Sequence, residues 1–153
     1  IGNFYPNVEI VIGGSTRANS VKNALKYIQT EYVLIHDGAR PLTEISDIQE
    51  LMDKTIQGNY IASSLYHDVT DTIKEDVNQK ISHLNRNNLK AVTTPQCFKK
   101  EVFDNILNNE EEITDELSII KDYPILFVKE TKPNIKVTTY EDFEYMKKMS
   151  LTS

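Results

Sequence analysis

The strongest constraint in this chain is a switch in hydrophobic periodicity that repeats along it. Val33, Leu34 and Ile35 are adjacent and apolar, a polar turn and an amphipathic stretch follow, and a second apolar run opens at Tyr60. Adjacent aliphatic and β-branched residues suit a strand covered on both faces, as in a parallel sheet. The stretch between them, roughly residues 44–57, predicts a helix with Ile45, Ile48, Leu51 or Met52, and Thr55 or Ile56 turned inward. Thr43 is its candidate N-cap and Gly58 its stop. Upstream, "VEIVIGG" predicts a strand closed by two glycines, and "RANSVKNALKYIQ" a helix with Val21, Ala24, Leu25 and Ile28 on one face. Strands and helices in alternation argue for an α/β fold, an open and mostly parallel sheet with helices on both faces.

From about Thr72 to Lys90 the pattern weakens to a loose alternation with "EDVNQ" at its middle, which predicts a protruding, exposed β-hairpin arm. A short helix follows over about 101–108 with Val102, Phe103, Ile106 and Leu107 inward, and another after Thr114. "ILFVKE" and "IKVTT" read as strands, and "TYEDFEYMKKM" as a closing helix with Thr139 and Asp142 in capping-box spacing. At 153 residues, without repeat or linker, the chain suits one domain over 1–153.

Composition narrows the partners. The net charge is −6, and charge clusters only as acid, at "NNEEEITDE", so nucleic acid is not an expected partner. No apolar run approaches the ~18 residues of a membrane span, and no signal-peptide pattern opens the chain. The single cysteine, Cys97, cannot form an internal disulfide, which favours the reducing cytoplasm.

The chemistry concentrates at "LIHDGARPL", where the strand around Val33–Ile35 ends in His36, Asp37, Gly38, Ala39 and Arg40. Open α/β sheets place ligands at the carboxyl ends of their strands. Each polar cluster also has a plain reading. "GGSTR" can be a tight turn with a helix cap, "TDTIK" an Asx turn, "TTPQ" an extended proline turn, and Lys136 in "NIKVT" a solvent-facing strand residue. His36, His67 and His83 share no ligand spacing with each other or with Cys97. No serine or cysteine lies in a nucleophile elbow. Two classes remain: transfer of a nucleotidyl or phosphoryl group, with Asp37 on a divalent cation and Arg17, Arg40, Arg86 and Lys136 on phosphate, or a non-catalytic module that binds a phosphorylated ligand or a partner protein.

Taken together and in order, "GGSTRANSV", "HDGARP", "DTIK", "TTPQCF", "TDELS" and "NIKVTT" resemble the 2-C-methyl-D-erythritol 4-phosphate cytidylyltransferases from about Val8 to Phe143. The resemblance implies a Rossmann-like nucleotidyltransferase fold and transfer of CMP from CTP to a sugar-alcohol phosphate. It implies CTP contacts from Gly13, Gly14, Arg17 and Ser20. Asp37 would stand beside the nucleotide and a magnesium ion, with Gly38, Ala39 and Arg40 shaping the same loop. Thr72 and Arg86 would hold the acceptor phosphate, Thr94 and Thr114 would lie near the substrates, and Lys136 would stabilise charge at the α-phosphorus. An acceptor oxygen attacking phosphorus in line, with pyrophosphate leaving, needs positioning and electrostatics but no protein nucleophile.

The family's N-terminal "L-x-A-A-G-x-G-x-R" loop and a following lysine are not found in these residues, so this chain alone is expected to be inactive and the whole gene product active. Ser15 stands where many members carry an acidic residue, an expected change in cytosine selection. The nearest rival is a ribitol 5-phosphate cytidylyltransferase of cell-wall polymer synthesis, and "HDGARP" and "TDELS" favour the methylerythritol enzyme over it. The resemblance also implies a homodimer that exchanges the 72–90 arm.

Overall fold

The computed structural model describes residues 7–108, 115–120 and 122–150, apart from the side chains at 103, 104 and 150. The chain divides into two compact units: Ile1–Val33 with Phe98–Tyr123, and Leu34–Cys97 with Pro124–Ser153.

In the first unit, α1 (Arg17–Leu25) begins where Thr16 accepts the Asn19 N–H at 3.2 Å, an N-cap bond. It packs on α3 (Phe103–Asn108), which follows a 3₁₀ turn at Lys100–Val102. Ala18, Leu25, Val102, Ile106 and Leu117 are buried there and Leu107 is half-buried, while the expected inward side chain of Phe103 lies outside the described residues. The helix expected after Thr114 is a single 3₁₀ turn, Glu116–Ile119, capped by Asp115. "VEIVIGG" is not a strand. Its backbone has no ladder partner among the described residues, and Ile10 and Ile12 are 73% and 88% exposed, so the apolar alternation is present without the pairing that defines a strand.

The sheet has the order β1-β5-β2-β6, from β1 (Tyr32–Ile35), β2 (Ala62–Asp68), β5 (Lys90–Lys99) and β6 (Leu126–Lys129). β2 and β6 run parallel, with Ser63 opposite Leu126 and Leu65 opposite Val128. The residues of "TTPQ", for which an extended proline turn is the plain reading, lie inside β5, whose Thr94–Pro95 peptide is cis. Proline donates no ladder hydrogen bond and argues against an interior strand, which is why the pattern hid this one.

The helix α2 (Ile45–Gln57) lies on β2 and β6. Its inward face is Asp47, Leu51 and Thr55, whereas Ile45, expected inward, is 82% exposed. Asp47 sets the rotation, because its carboxylate accepts the Thr131 N–H at 2.9 Å and the Thr131 hydroxyl at 2.8 Å. Thr43 is not the N-cap. That position is Glu44, without a side-chain cap, and the Thr43 hydroxyl donates to Asn134 Oδ1 at 2.8 Å. Gly58 ends the helix at φ −82°, and the left-handed residue is Asn59 at φ 49°. Below α2, the buried Thr55 hydroxyl donates to Leu51 O at 2.5 Å and accepts from Ser63, so a hydroxyl-lined strand meets the helix with its polar atoms satisfied.

β3 (Lys74–Val77) and β4 (Lys80–His83) form the antiparallel hairpin expected for the arm. Asn78 and Gln79 turn it with φ of 52° and 65°, the positive pair of a type I′ turn, and all its strand residues are exposed. "IKVTT" is not a strand; its main tie to the fold is Val137 N–H to Ala39 O at 2.8 Å. Among the described residues no helix is long and apolar enough to cross a membrane.

The capping box of α4 (Tyr140–Ser150) is present in both directions: Asp142 accepts the Thr139 N–H at 2.9 Å, and Thr139 accepts the Asp142 N–H at 3.2 Å. Backbone hydrogen bonds from Thr138 and Thr139, then the Thr139 hydroxyl, lower the Asp142 pKa to about 2. A carboxylate with a lowered folded pKa stabilises the fold above its unfolded value near ~3.9, and that contribution is lost as pH falls towards the folded value. A carbon-detected NMR titration is expected to give Asp142 a midpoint near 2, with the first turn of α4 fraying below pH 4. A midpoint at the ordinary aspartate value would contradict the cap.

Candidate phosphate and metal site

In the second unit, β1 delivers His36 and Asp37 to a loop that turns back at Arg40, whose N–H bonds Asp37 O at 3.0 Å. Asp37 Oδ2 lies 3.1 Å from Lys136 Nζ and 3.8 Å from Arg40 Nε. The Asp37 side chain is 14% exposed and that of Lys136 44%, so a largely buried acid sits between two cations, one of them open to solvent. Arg40 is anchored by Nη1 to Asn134 O at 2.6 Å. Its Nε is buried and has no hydrogen-bond partner among the described residues, its nearest charged neighbour being Asp37. A Cβ at Gly38 would meet nothing within 4 Å, so this side of the loop is open.

His36 is locked from both ring nitrogens. Nε2 lies 3.0 Å from Arg40 O, an acceptor only, so Nε2 carries the proton; Nδ1 accepts from the Thr94 hydroxyl at 3.1 Å. Thr94 Oγ1 in turn accepts the Asp37 N–H at 3.0 Å. The Thr94 hydroxyl is therefore committed to the loop that carries Asp37. The structure thus brings Asp37, Gly38, Ala39, Arg40, Thr94 and Lys136 together by direct contacts or adjacency. Thr72 and Arg86 are exposed at the base of the arm, where Arg86 Nη1 donates to Thr70 O at 2.7 Å.

The glycine turn belongs to the first unit. Gly14 N–H donates to Ser20 Oγ at 3.0 Å, and Ser20 Oγ donates to Thr16 O at 3.0 Å, tying the turn to the first turn of α1. A Cβ on Gly14 would fall 2.3 Å from the Asn19 Cβ, which requires glycine at this close approach. A Cβ on Gly13 would meet Ser20 Oγ at 3.0 Å. Arg17 Nη1 pairs with Glu116 Oε1 at 2.7 Å, and Glu116 is 1% exposed. This joins the "GGSTR" and "TDELS" motifs within one unit. Thr114 lies outside the described residues.

The profile of the family described as IspD, 2-C-methyl-D-erythritol 4-phosphate cytidylyltransferase, matches residues 2–149. The chain belongs to this family. It is 38% identical over 144 residues to the 2-C-methyl-D-erythritol 4-phosphate cytidylyltransferase of Pseudoalteromonas translucida, covering 86% of this chain and 58% of that protein. The enzyme of the same name from Wigglesworthia glossinidia brevipalpis is 35% identical over 146 residues, covering 90% of this chain and 63% of that protein. The chain therefore spans about three fifths of the length of these relatives. The fold is similar to the crystal structure of 4-diphosphocytidyl-2C-methyl-D-erythritol synthase from Anaerococcus prevotii, with a TM-score of 0.80 and 29% identity over 95% of this chain and 71% of that one. The open α/β sheet is thus that of the IspD nucleotidyltransferase fold.

Sequence reasoning missed three side chains of the site. His36 was visible in "HDGARP" but carried no ligand spacing, Thr43 drew a capping role, and Asn134 passed as the residue before Ile135 and Lys136. The available signal was an asparagine two residues before Lys136 in a strand-like stretch, a residue that strands disfavour.

Proposed function

We propose that the whole protein of which this chain is part transfers the cytidylyl group of CTP to 2-C-methyl-D-erythritol 4-phosphate and releases pyrophosphate, for isoprenoid precursor biosynthesis. The observation that carries the reading is the acid between two cations, Asp37 between Lys136 at 3.1 Å and Arg40 at 3.8 Å, in a chain of the IspD family. Relatives bearing the name of that activity support the substrates.

Lys136 supplies a mobile positive charge at the open face, where a developing charge on phosphorus would be stabilised in the transition state more than in the ground state. Arg40 is held rigidly and presents its spare Nε donor beside Asp37. Magnesium fits a single carboxylate beside cations that can meet phosphate, because it is commonly held by one or two carboxylates together with substrate phosphates and water. Asp37 would hold it, and the ion would neutralise triphosphate charge. Thr72 and Arg86, exposed at the base of the arm, are assigned to the acceptor phosphate, while Thr94 acts by holding the Asp37 loop. A substrate drawn from the nucleotide pool and a single, buried cysteine, Cys97, agree with a cytoplasmic protein.

Pyrophosphate release by the whole protein tests the reading. Activity is expected with CTP, magnesium and methylerythritol phosphate, not with ribitol 5-phosphate. Lys136→Ala is expected to lower kcat about 10²-fold or more while the KM for CTP changes little. Preference for ribitol phosphate, or a Lys136→Ala effect confined to KM, would overturn the assignment.

The same reading includes a homodimer through the arm. A lone two-stranded hairpin is marginal in water, and this one exposes Val77 by 54% and Ile81 by 62%, apolar area that a second copy would cover. Arg86 would then serve the partner's site. Mixing Arg86→Ala and Lys136→Ala proteins under subunit exchange should restore activity at one site of each mixed dimer. Absence of recovery despite demonstrated exchange would exclude a shared site.

A further inference from the structure

Behind the Asp37 loop lies a buried polar cluster that no substrate contact explains. Asn134, 6% exposed, uses both ends of its side-chain amide and its backbone carbonyl. Its Nδ2 donates to Thr94 O and to Glu130 Oε1, both at 2.8 Å; its Oδ1 accepts from Thr43 at 2.8 Å; and its backbone carbonyl accepts from Arg40 at 2.6 Å. The amide orientation is unambiguous, because a carbonyl and a carboxylate oxygen face Nδ2 while a hydroxyl with one proton to give faces Oδ1. Glu130, its side chain 2% exposed, also accepts from the Thr93 hydroxyl and pairs through Oε2 with His67 Nδ1 at 3.4 Å. Its backbone N–H is fixed to Tyr66 O at 2.9 Å, which anchors the carboxylate to β2.

The cluster joins three pieces of chain that carry the site. Through Thr94 it reaches His36 and the Asp37 N–H; through its own carbonyl it holds Arg40; and two residues beyond Asn134 the chain presents Lys136, with Val137 N–H bound to Ala39 O. The distance between Asp37 and Lys136 therefore depends on an amide that touches neither.

We infer that Asn134 and Glu130 are positioning residues for the transfer reaction: a buried amide–carboxylate pair that sets the register between the Asp37–Arg40 loop and the segment bearing Lys136. The inference rests on the function proposed above. Its chemistry is a donor–acceptor relation, and so it can be inverted. Asn134→Asp sets a carboxylate against the Glu130 carboxylate and the Thr94 carbonyl, with no donor between them. Adding Glu130→Gln returns a donor from the other side.

In the whole protein, Asn134→Asp is expected to reduce kcat by about 10²-fold with the KM for CTP within about threefold, the size of effect a displacement near 1 Å produces. Glu130→Gln alone is expected to lose less than about tenfold, and the double variant to regain roughly tenfold over Asn134→Asp, a coupling typical of residues in one hydrogen-bond network. Thr43→Val, which removes a single donor at the edge, is expected to fold and to lose about threefold in kcat. A second readout needs no activity. Amide hydrogen exchange at Asp37 and Val137 should accelerate in Asn134→Asp while β2 amides paired with β6 stay protected. Wild-type protein without pyrophosphate release would overturn the proposed function and leave exchange to decide the positioning role. A folded Asn134→Asp protein with wild-type kcat, a double variant no better than the single, or unchanged exchange at both amides would overturn the inference.

Discussion

The Asn134 side chain, buried and saturated with hydrogen bonds, is the interaction on which the rest of the second unit's site depends. A buried donor or acceptor left unpaired costs about 1–3 kcal/mol, and Asn134 presents both kinds at once. Meeting that demand from Thr43, Thr94 and Glu130 fixes the start of α2, the middle of β5 and the end of β6 relative to one another. Arg40 then docks on the Asn134 carbonyl, so the charged residues are carried by a hydrogen-bonded frame.

The charges themselves are arranged for exchange of partners. Lys136 pairs with Asp37 at 3.1 Å yet is 44% exposed, so its ion pair is screened by solvent and inexpensive to open. Arg40, 13% exposed, is held by its terminal nitrogen and keeps Nε without a hydrogen-bond partner among the described residues. A phosphate oxygen entering beside Asp37 would find one cation able to move and one already placed. That division suits phosphoryl chemistry, in which catalysis is largely positioning and charge stabilisation.

How much of this was legible in the sequence depended on whether the signal was local. The type I′ hairpin at Asn78 and Gln79, the capping box at Thr139 and Asp142, and the helix from Ile45 to Gln57 are written in neighbouring residues, and all three are present. Elements decided by distant partners were misread. "VEIVIGG" has the alternation of a strand without the ladder, and β5 hides behind Pro95. The inward face of α2 follows the buried Asp47 and its bonds to Thr131, 84 residues away, rather than the nearest isoleucine. The same holds at the site. Asp37 stood out as a carboxylate at a strand end and Lys136 through the motif it shares with the family, whereas Asn134 acquires its meaning only when residues 43, 94 and 130 converge on it.

The Asp37–Arg40 loop and the segment around Lys136 are proposed as the place where metal and triphosphate meet. Paramagnetic broadening of backbone amides by manganese, added with a non-hydrolysable CTP analogue to the isotope-labelled whole protein, tests it most directly. Selective loss of the Asp37, Gly38, Ala39, Arg40 and Val137 signals is expected, dependent on the nucleotide and abolished by Asp37→Asn. Broadening centred elsewhere, or broadening at these amides that persists without the Asp37 carboxylate, would contradict it.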